Sequence, residues 1–145
     1  MTPIEVTAST LTAAQPSKLW ELVCDTSRYP EWVAATAAVT RSDGPARQGS
    51  TYDEINPIMG PFRATTRWTV IEFDPPRRQV HRSEDVPFAS ETLMILDLTP
   101  SGDGSEVTVT LRASGNRVLR VLKSQMRKDN EHSLRNLAEL AARTF

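Results

Sequence analysis

At 145 residues, with 39% apolar and 24% charged residues, the chain has the size of one domain and the composition of a globular protein, which excludes a disordered segment. Its 17 basic and 18 acidic residues leave a formal net charge of -1, which gives no electrostatic reason to expect nucleic acid or an anionic membrane as partner. The single cysteine, Cys24, rules out an intramolecular disulfide and a cysteine-based metal site. The first residues lack the basic and apolar regions of a signal peptide, and no apolar run reaches transmembrane length, so the protein is expected in the cytoplasm without stable membrane insertion.

Ile4, Val6 and Ala8 alternate with Glu5, Thr7 and Ser9, which predicts a half-buried strand over residues 4–11. Pro16 opens a short helix through Val23, with Leu19, Leu22 and Val23 at helical spacing. Within that stretch Cys24 reads as a small buried hydrophobe. Asp25-Thr26-Ser27 breaks the helix, and Tyr29-Pro30-Glu31-Trp32-Val33 predicts a second short one.

Strands follow at 35–41, at 50–55 (ended by Asn56-Pro57) and at 62–73 (ended by Asp74-Pro75-Pro76). In the third of these Ala64, Thr66, Trp68 and Val70 share a side. Further strands are predicted at 79–84, 90–98 and 106–114, the last two joined in a hairpin by Pro100-Ser101-Gly102-Asp103-Gly104. From Val118 onward there is no Gly or Pro, and Leu119, Leu122, Met126, Ser133, Leu137 and Leu140 recur at helical spacing. That predicts one amphipathic helix about 40 Å long. The fold class is therefore α+β: seven antiparallel strands forming a curved sheet, two short helices after the first strand, and a long C-terminal helix covering the apolar face. A sheet curled around a helix leaves room for a ligand between them.

Three phrases carry a family resemblance. Ala14 to Asp25 with Tyr29-Pro30-Glu31-Trp32 resembles the pattern A-P-x-x-V-W-x-x-L-x-D followed by Y-P-x-W. Val70 to Arg78 resembles V-x-E-x-D-P-P-R-R, and Leu98 to Val107 resembles L-x-P-x-G-D-G-T-x-V. Together they resemble the START-like, SRPBCC or helix-grip superfamily, and within it the polyketide cyclase/dehydrase-like branch. Gln15 stands where that family has a small or apolar residue, and Ser105 where it has threonine. The resemblance implies one ligand-binding domain over residues 1–145 with a cavity. It does not imply which ligand, since the phrases are turn, cap and packing signatures.

Chemistry is less legible. His81 and His132 have no metal-ligand spacing, and no cofactor is expected. His132, beside Glu131 and Ser133, reads as solvated or half-buried. The register of its strand decides His81: with Val80 inward it faces water, and with Gln79 inward it becomes an acid/base candidate. Glu54 shares a face with Tyr52. It either enters the cavity with a raised pKa or twists into solvent at the strand end. Arg82 completes the catalytic candidates, and Arg67 with Glu91 reads as an ion pair on the outer face. Tyr52, Thr66, Trp68, Met94, Leu96, Leu122, Met126 and Asn130 are expected to wall the ligand, with Asp129, Asn130 and Ser133 interrupting the apolar helix stripe.

The leading expectation is binding of a hydrophobic molecule, lipid-like or aromatic. The alternatives are a polyketide cyclase/aromatase-type enzyme using the same cavity, or an interaction module of toxin or co-chaperone type. A homodimer is left open.

Overall fold

The computed structural model describes residues 3–145, apart from the side chain of Met59. Strand β1 (Ile4–Thr12) leads into helix α1 (Pro16–Cys24), a 3-10 turn (Thr26–Arg28) and the one-turn helix α2 (Tyr29–Trp32). Six strands follow: β2 (Ala38–Ser42), β3 (Thr51–Met59), β4 (Phe62–Asp74), β5 (Arg78–Ser83), β6 (Ala89–Ser101) and β7 (Gly104–Gly115). Helix α3 (Val118–Thr144) ends the chain. The strands form one antiparallel sheet in the order β1-β7-β6-β5-β4-β3-β2, so the first strand closes beside the last. This is the helix-grip arrangement that the alternation and the terminal helix predict.

Local chemistry explains the short elements. Pro16 occupies the first turn of α1, where its missing N–H costs nothing, and α1 buries Leu19, Trp20, Leu22, Val23 and Cys24. The Asp25 carboxylate accepts the Ser27 N–H at 3.1 Å and so caps the 3-10 turn.

β3 departs from its sequence reading. It runs on past Asn56-Pro57 to Met59, pairing Asn56 with Ala64 and Pro57 with Arg63. The β2 partners of β3 begin only at Ala38, opposite Ile55, so Pro57 lies on a free edge where it forfeits no ladder bond. The β6–β7 turn is tighter than the five-residue signal: Ser101 pairs with Gly104, and Gly102 takes a φ of 58°.

α3 divides in two. Its C-terminal half buries Leu134, Leu137, Leu140 and Ala141 in the main core with α1 and the sheet. Its first turns bury Leu119 in a separate small cluster with Ile4 and Ala113, against which Met126 packs. Between them the helix is held by polar bonds. Asn130 Nδ2 donates to Val109 O of β7 at 2.8 Å, and Ser133 Oγ accepts the Ala34 N–H at 2.8 Å. The space between the two apolar clusters is where the helix stands off the sheet.

Candidate functional site: a cavity between sheet and helix

A cavity of about 240 Å³ occupies that space. Its floor is the inner face of β3, β4, β6 and β7, including Tyr52, Trp68, Met94, Val109 and Leu111. Its roof is α3 through Leu119, Leu122, Met126 and Asn130, and one end wall is α2 through Tyr29 and Trp32. Ile58 and Phe88 line it while remaining 39% and 47% exposed, which puts the mouth beside the β3–β4 and β5–β6 loops. Phe88 has a φ of 69°, an uncommon conformation for a bulky residue. Its carbonyl accepts the Asn116 N–H at 2.8 Å, and a Cβ on Gly115 would lie 2.4 Å from that oxygen, so only glycine lets β7 pass this corner.

The polar groups gather at the β3–β4 end. Cross-strand pairing sets Glu54 opposite Thr66 and Tyr52 opposite Trp68. Glu54 is 5% exposed and points inward. Its Oε2 accepts from Thr36 Oγ1 at 2.9 Å, and its Oε1 accepts from Asn56 Nδ2 at 2.9 Å. Asn56 Oδ1 in turn accepts from Thr66 Oγ1, which accepts from Trp68 Nε1 at 2.9 Å. No ion pair reaches Glu54 among the described residues. Burial pushes its pKa up, and hydrogen bonding from Asn56, Thr36 and Trp68 only partly offsets this.

His81 lies outside the cavity lining. Gln79 does face in, as one of the two registers requires, but the imidazole is fully buried in a chain of hydrogen bonds. With the Gln79 amide oxygen accepting from His81 Nε2 at 2.7 Å, Nδ1 is left to accept from Tyr52 Oη at 2.7 Å. Gln79 Nε2 donates onward to Cys24 Sγ at 3.5 Å. Burial pushes the His81 pKa down to about 3 and the Cys24 thiol up to about 11, so both are neutral at ordinary pH. The network braces the wall that carries Tyr52 and exposes no base to a ligand.

Two further positions differ from expectation. Arg82 is on the outer face, where Nε donates to Glu91 at 2.6 Å and a terminal nitrogen pairs with Glu84 at 2.7 Å, so it is not in the cavity. Glu91 is thereby taken, and Arg67 instead grips Asp53 through two bonds of 2.7 and 3.0 Å. Leu96 is 1% exposed in the main core on β6 and does not line the cavity. The structure brings together Glu54, Tyr52, Thr66, Trp68, Met94, Leu122, Met126 and Asn130 around one space. His132 is exposed on α3.

The sequence reading missed Tyr29, Trp32, Asn56 and Thr92 as cavity residues. Period-two alternation places Asn56 on the face of Tyr52 and Glu54, and Thr92 on the face of Met94. Asn56 was within reach once β3 is carried beyond Ile55, and Thr92 from the alternation of β6 alone. Tyr29 and Trp32 stand three residues apart on one turn of α2, their rings 5.9 Å apart and edge-on. Only the packing of α2 against α3 shows that they close a cavity. Among the described residues no group of three His, Cys, Asp or Glu side chains converges as a metal would require, and no helix is long and apolar enough to cross a membrane.

A curved antiparallel sheet gripping a long helix over an apolar cavity defines the helix-grip class of proteins. Within that class the chain belongs to the polyketide cyclase/dehydrase and lipid transport family, whose profile matches residues 3–142. No curated protein matches its sequence. Its fold is similar to that of StfQ, a di-domain ARO/CYC from the steffimycin biosynthetic pathway, at 13% identity and a TM-score of 0.80; the match covers 97% of this chain and 51% of StfQ. It is also similar to the Zhui aromatase/cyclase from Streptomyces sp. R1128, at 14% identity over 98% of this chain and 95% of that one, with a TM-score of 0.79. A Thermus thermophilus protein, TTHA0849, shares 19% identity over 98% of this chain and all of its own length, also with a TM-score of 0.79.

Proposed function

We propose that this protein binds a small hydrophobic molecule, lipid-like or aromatic, in the cavity between the sheet and α3. The observation that carries this reading is the cavity itself: about 240 Å³, walled mostly by apolar and aromatic side chains, with a few polar groups at one end. A void of that size lined by Trp68, Met94, Leu111 and Met126 forfeits packing energy unless something fills it. The test is native mass spectrometry of the purified protein followed by denaturing extraction, together with titration of neutral fluorescent apolar probes. A co-purified apolar compound, or saturable probe binding weakened by Met126→Trp, is the expected result. A bare protein that binds no probe would refute it.

One observation favours a second reading, in which the bound molecule is also transformed. Glu54 is a buried carboxyl without a cation, inside a cavity, with its pKa raised by burial. In a cyclase/dehydratase acting on a poly-β-keto chain, the cavity would fold the chain so that an enolizable carbon meets a carbonyl. The Glu54 carboxyl would protonate the carbonyl oxygen as the enol carbon attacks and regain a proton from the enol hydroxyl. It would then protonate the new hydroxyl, which leaves as water, and as carboxylate take the α proton given up as the double bond forms. The aromatase/cyclases among the structures of similar fold make this chemistry the one to test. Glu54→Gln should bind substrate with unchanged affinity and lose turnover. Unchanged turnover would exclude Glu54 from catalysis.

A further inference from the structure

The large apolar side chains left exposed are unevenly placed. Among the described residues five of the eight, Ile58, Phe62, Phe88, Val118 and Val121, stand at one end of the molecule. Ile58 and Phe88 line the mouth of the cavity. Phe62 is 70% exposed and shares its side of β4 with Thr66 and Trp68, so the β3–β4 tip carries it past the rim on the concave side. Val118 and Val121 lie on the first turn of α3, which the bond from Asn116 N–H to Phe88 O at 2.8 Å ties to the β5–β6 loop. Single apolar side chains scattered over a surface need no explanation; gathered around the mouth of a cavity they mark a contact.

Charge is as uneven. The net charge of -1 gives no reason to expect an anionic membrane, but its distribution does. From Asn116 to Lys128 the chain carries Arg117, Arg120, Lys123, Arg127 and Lys128 and no Asp or Glu, and Arg63 adds a sixth cation beside Phe62. None of the six is in an ion pair among the described residues. The acidic residues of the β5–β6 loop are engaged elsewhere: Glu84 pairs with Arg82, and Asp85 accepts the Arg67 N–H at 2.8 Å. Folding does not account for these cations. A helix dipole disfavours positive charge at its N-terminus, and the first turn of α3 has no acidic residue to offset it. Spacing puts Arg117, Val121 and Lys128 on one outward face of α3, and Arg120 with Arg127 on the next. Unpaired cations on an amphipathic helix, beside exposed apolar tips, complement anionic headgroups lying over hydrocarbon.

We propose that this end of the protein docks on the surface of an anionic lipid bilayer, with Arg63, Arg117 and Arg120 against the headgroups, Phe62, Phe88 and Val121 among them, and the mouth of the cavity facing the lipid. The contact is peripheral, since no helix among the described residues is long and apolar enough to cross. Docked in this way, the protein could exchange an apolar guest with the bilayer without passing it through water. The docking itself needs no guest and stands apart from the reading of the cavity as a binding site.

Flotation with vesicles tests this, using phosphatidylcholine alone and phosphatidylcholine with about 30 mol% phosphatidylglycerol. The protein should bind the anionic vesicles at least about tenfold more tightly than the neutral ones, and should come off as salt rises toward about 0.5 M. Arg117→Glu with Arg120→Glu should weaken binding at least about tenfold. Lys18→Glu with Arg143→Glu makes the same change of net charge away from the mouth, on α1 and on the last turn of α3, and should leave binding unchanged. Phe62→Ser, at an exposed tip, should weaken binding about threefold to tenfold with no change in the urea midpoint. Equal binding to both vesicles, binding to neither, or equal losses from the two charge-reversal pairs would overturn the proposal. So would a dimer that Arg117→Glu with Arg120→Glu dissolves in the absence of vesicle binding, since a second copy would then cover the surface. A protein that floats with anionic vesicles but takes up no apolar probe sustains the docking and refutes the cavity reading; uptake without flotation does the reverse.

Discussion

Acidification is expected to cost this protein stability at His81, and the amount can be worked from its burial. The folded imidazole has a pKa of about 3, against an ordinary value of 6.5. Between those limits the unfolded chain binds a proton there and the folded chain does not. Stability therefore falls as pH falls, by about 1.4 kcal/mol per pH unit. The contribution is intact above the ordinary value and is lost progressively toward the folded one. At about pH 5, some 1.5 units below the ordinary value, the loss is about 2 kcal/mol, a sizeable part of a typical folding free energy. Glu54 acts in the opposite direction. Its folded pKa is raised, so its contribution is present at low pH and is lost as pH rises through the carboxylate range. The wild-type curve sums both, and His81→Gln isolates one, because glutamine can hydrogen-bond but does not titrate. Urea unfolding followed by tryptophan fluorescence, from about pH 7.5 to about pH 4.5, should show the variant losing less stability than the wild type, the difference in stability lost growing by about 1.4 kcal/mol per unit below the ordinary histidine value of 6.5. A gap that stays constant over that range would refute the burial of a neutral imidazole.

Three other outcomes follow from the same packing. Tyr52→Phe removes the hydroxyl that His81 Nδ1 accepts and should cost about 1–3 kcal/mol in denaturant unfolding; an unchanged midpoint would show that this bond contributes nothing. Leu137→Ala, at a fully buried position on the closed half of α3, should cost about 2–5 kcal/mol by the same measurement, and a smaller loss would mean that the site collapses onto the gap. Cys24, buried and with its pKa raised to about 11, should react with a thiol reagent at mildly alkaline pH only at the rate of opening; fast labelling of the native protein would contradict its burial.

The fold was legible because its signals are local and repeated. Alternation in β1, β6 and β7 names the inward residues of each strand, and the absence of Gly and Pro after Val118 leaves one long helix. The site was legible only in part, because register is a property of pairs of strands. Val70 pairs with His81 while Glu72 pairs with Val80, so β4 carries a bulge that no alternation within β5 can reveal. Gln79, Val80 and His81 are all buried, which is why period two in that segment could not decide between them. Arg82 follows from the same register: once Gln79 and His81 face in, Arg82 must face out, toward Glu91 and Glu84. The ion pair expected between Arg67 and Glu91 failed because Asp53 is the direct cross-strand neighbour of Arg67.

The deepest difference concerns what the interrupted stripe of α3 does. The sequence places Asp129, Asn130 and Ser133 as an interruption of the apolar stripe, with Asn130 against the ligand. In the structure Ser133 is spent on the protein, accepting the Ala34 N–H while its hydroxyl donates to Asp129 O, and Asn130 gives one amide N–H to the Val109 carbonyl. Much of their effect on a ligand is thus geometric. A leucine at either position would lose these bonds and push into the space between the two apolar clusters, whereas the short polar side chains tie the helix to β7 and to the segment after α2. Other polar side chains beside the space are Glu54, Asn56 and Thr66 at the β3–β4 end. Helix, sheet and short helix therefore divide the work: α3 sets the height of the cavity, the sheet supplies its apolar floor and the polar groups at the β3–β4 end, and α2 closes one end.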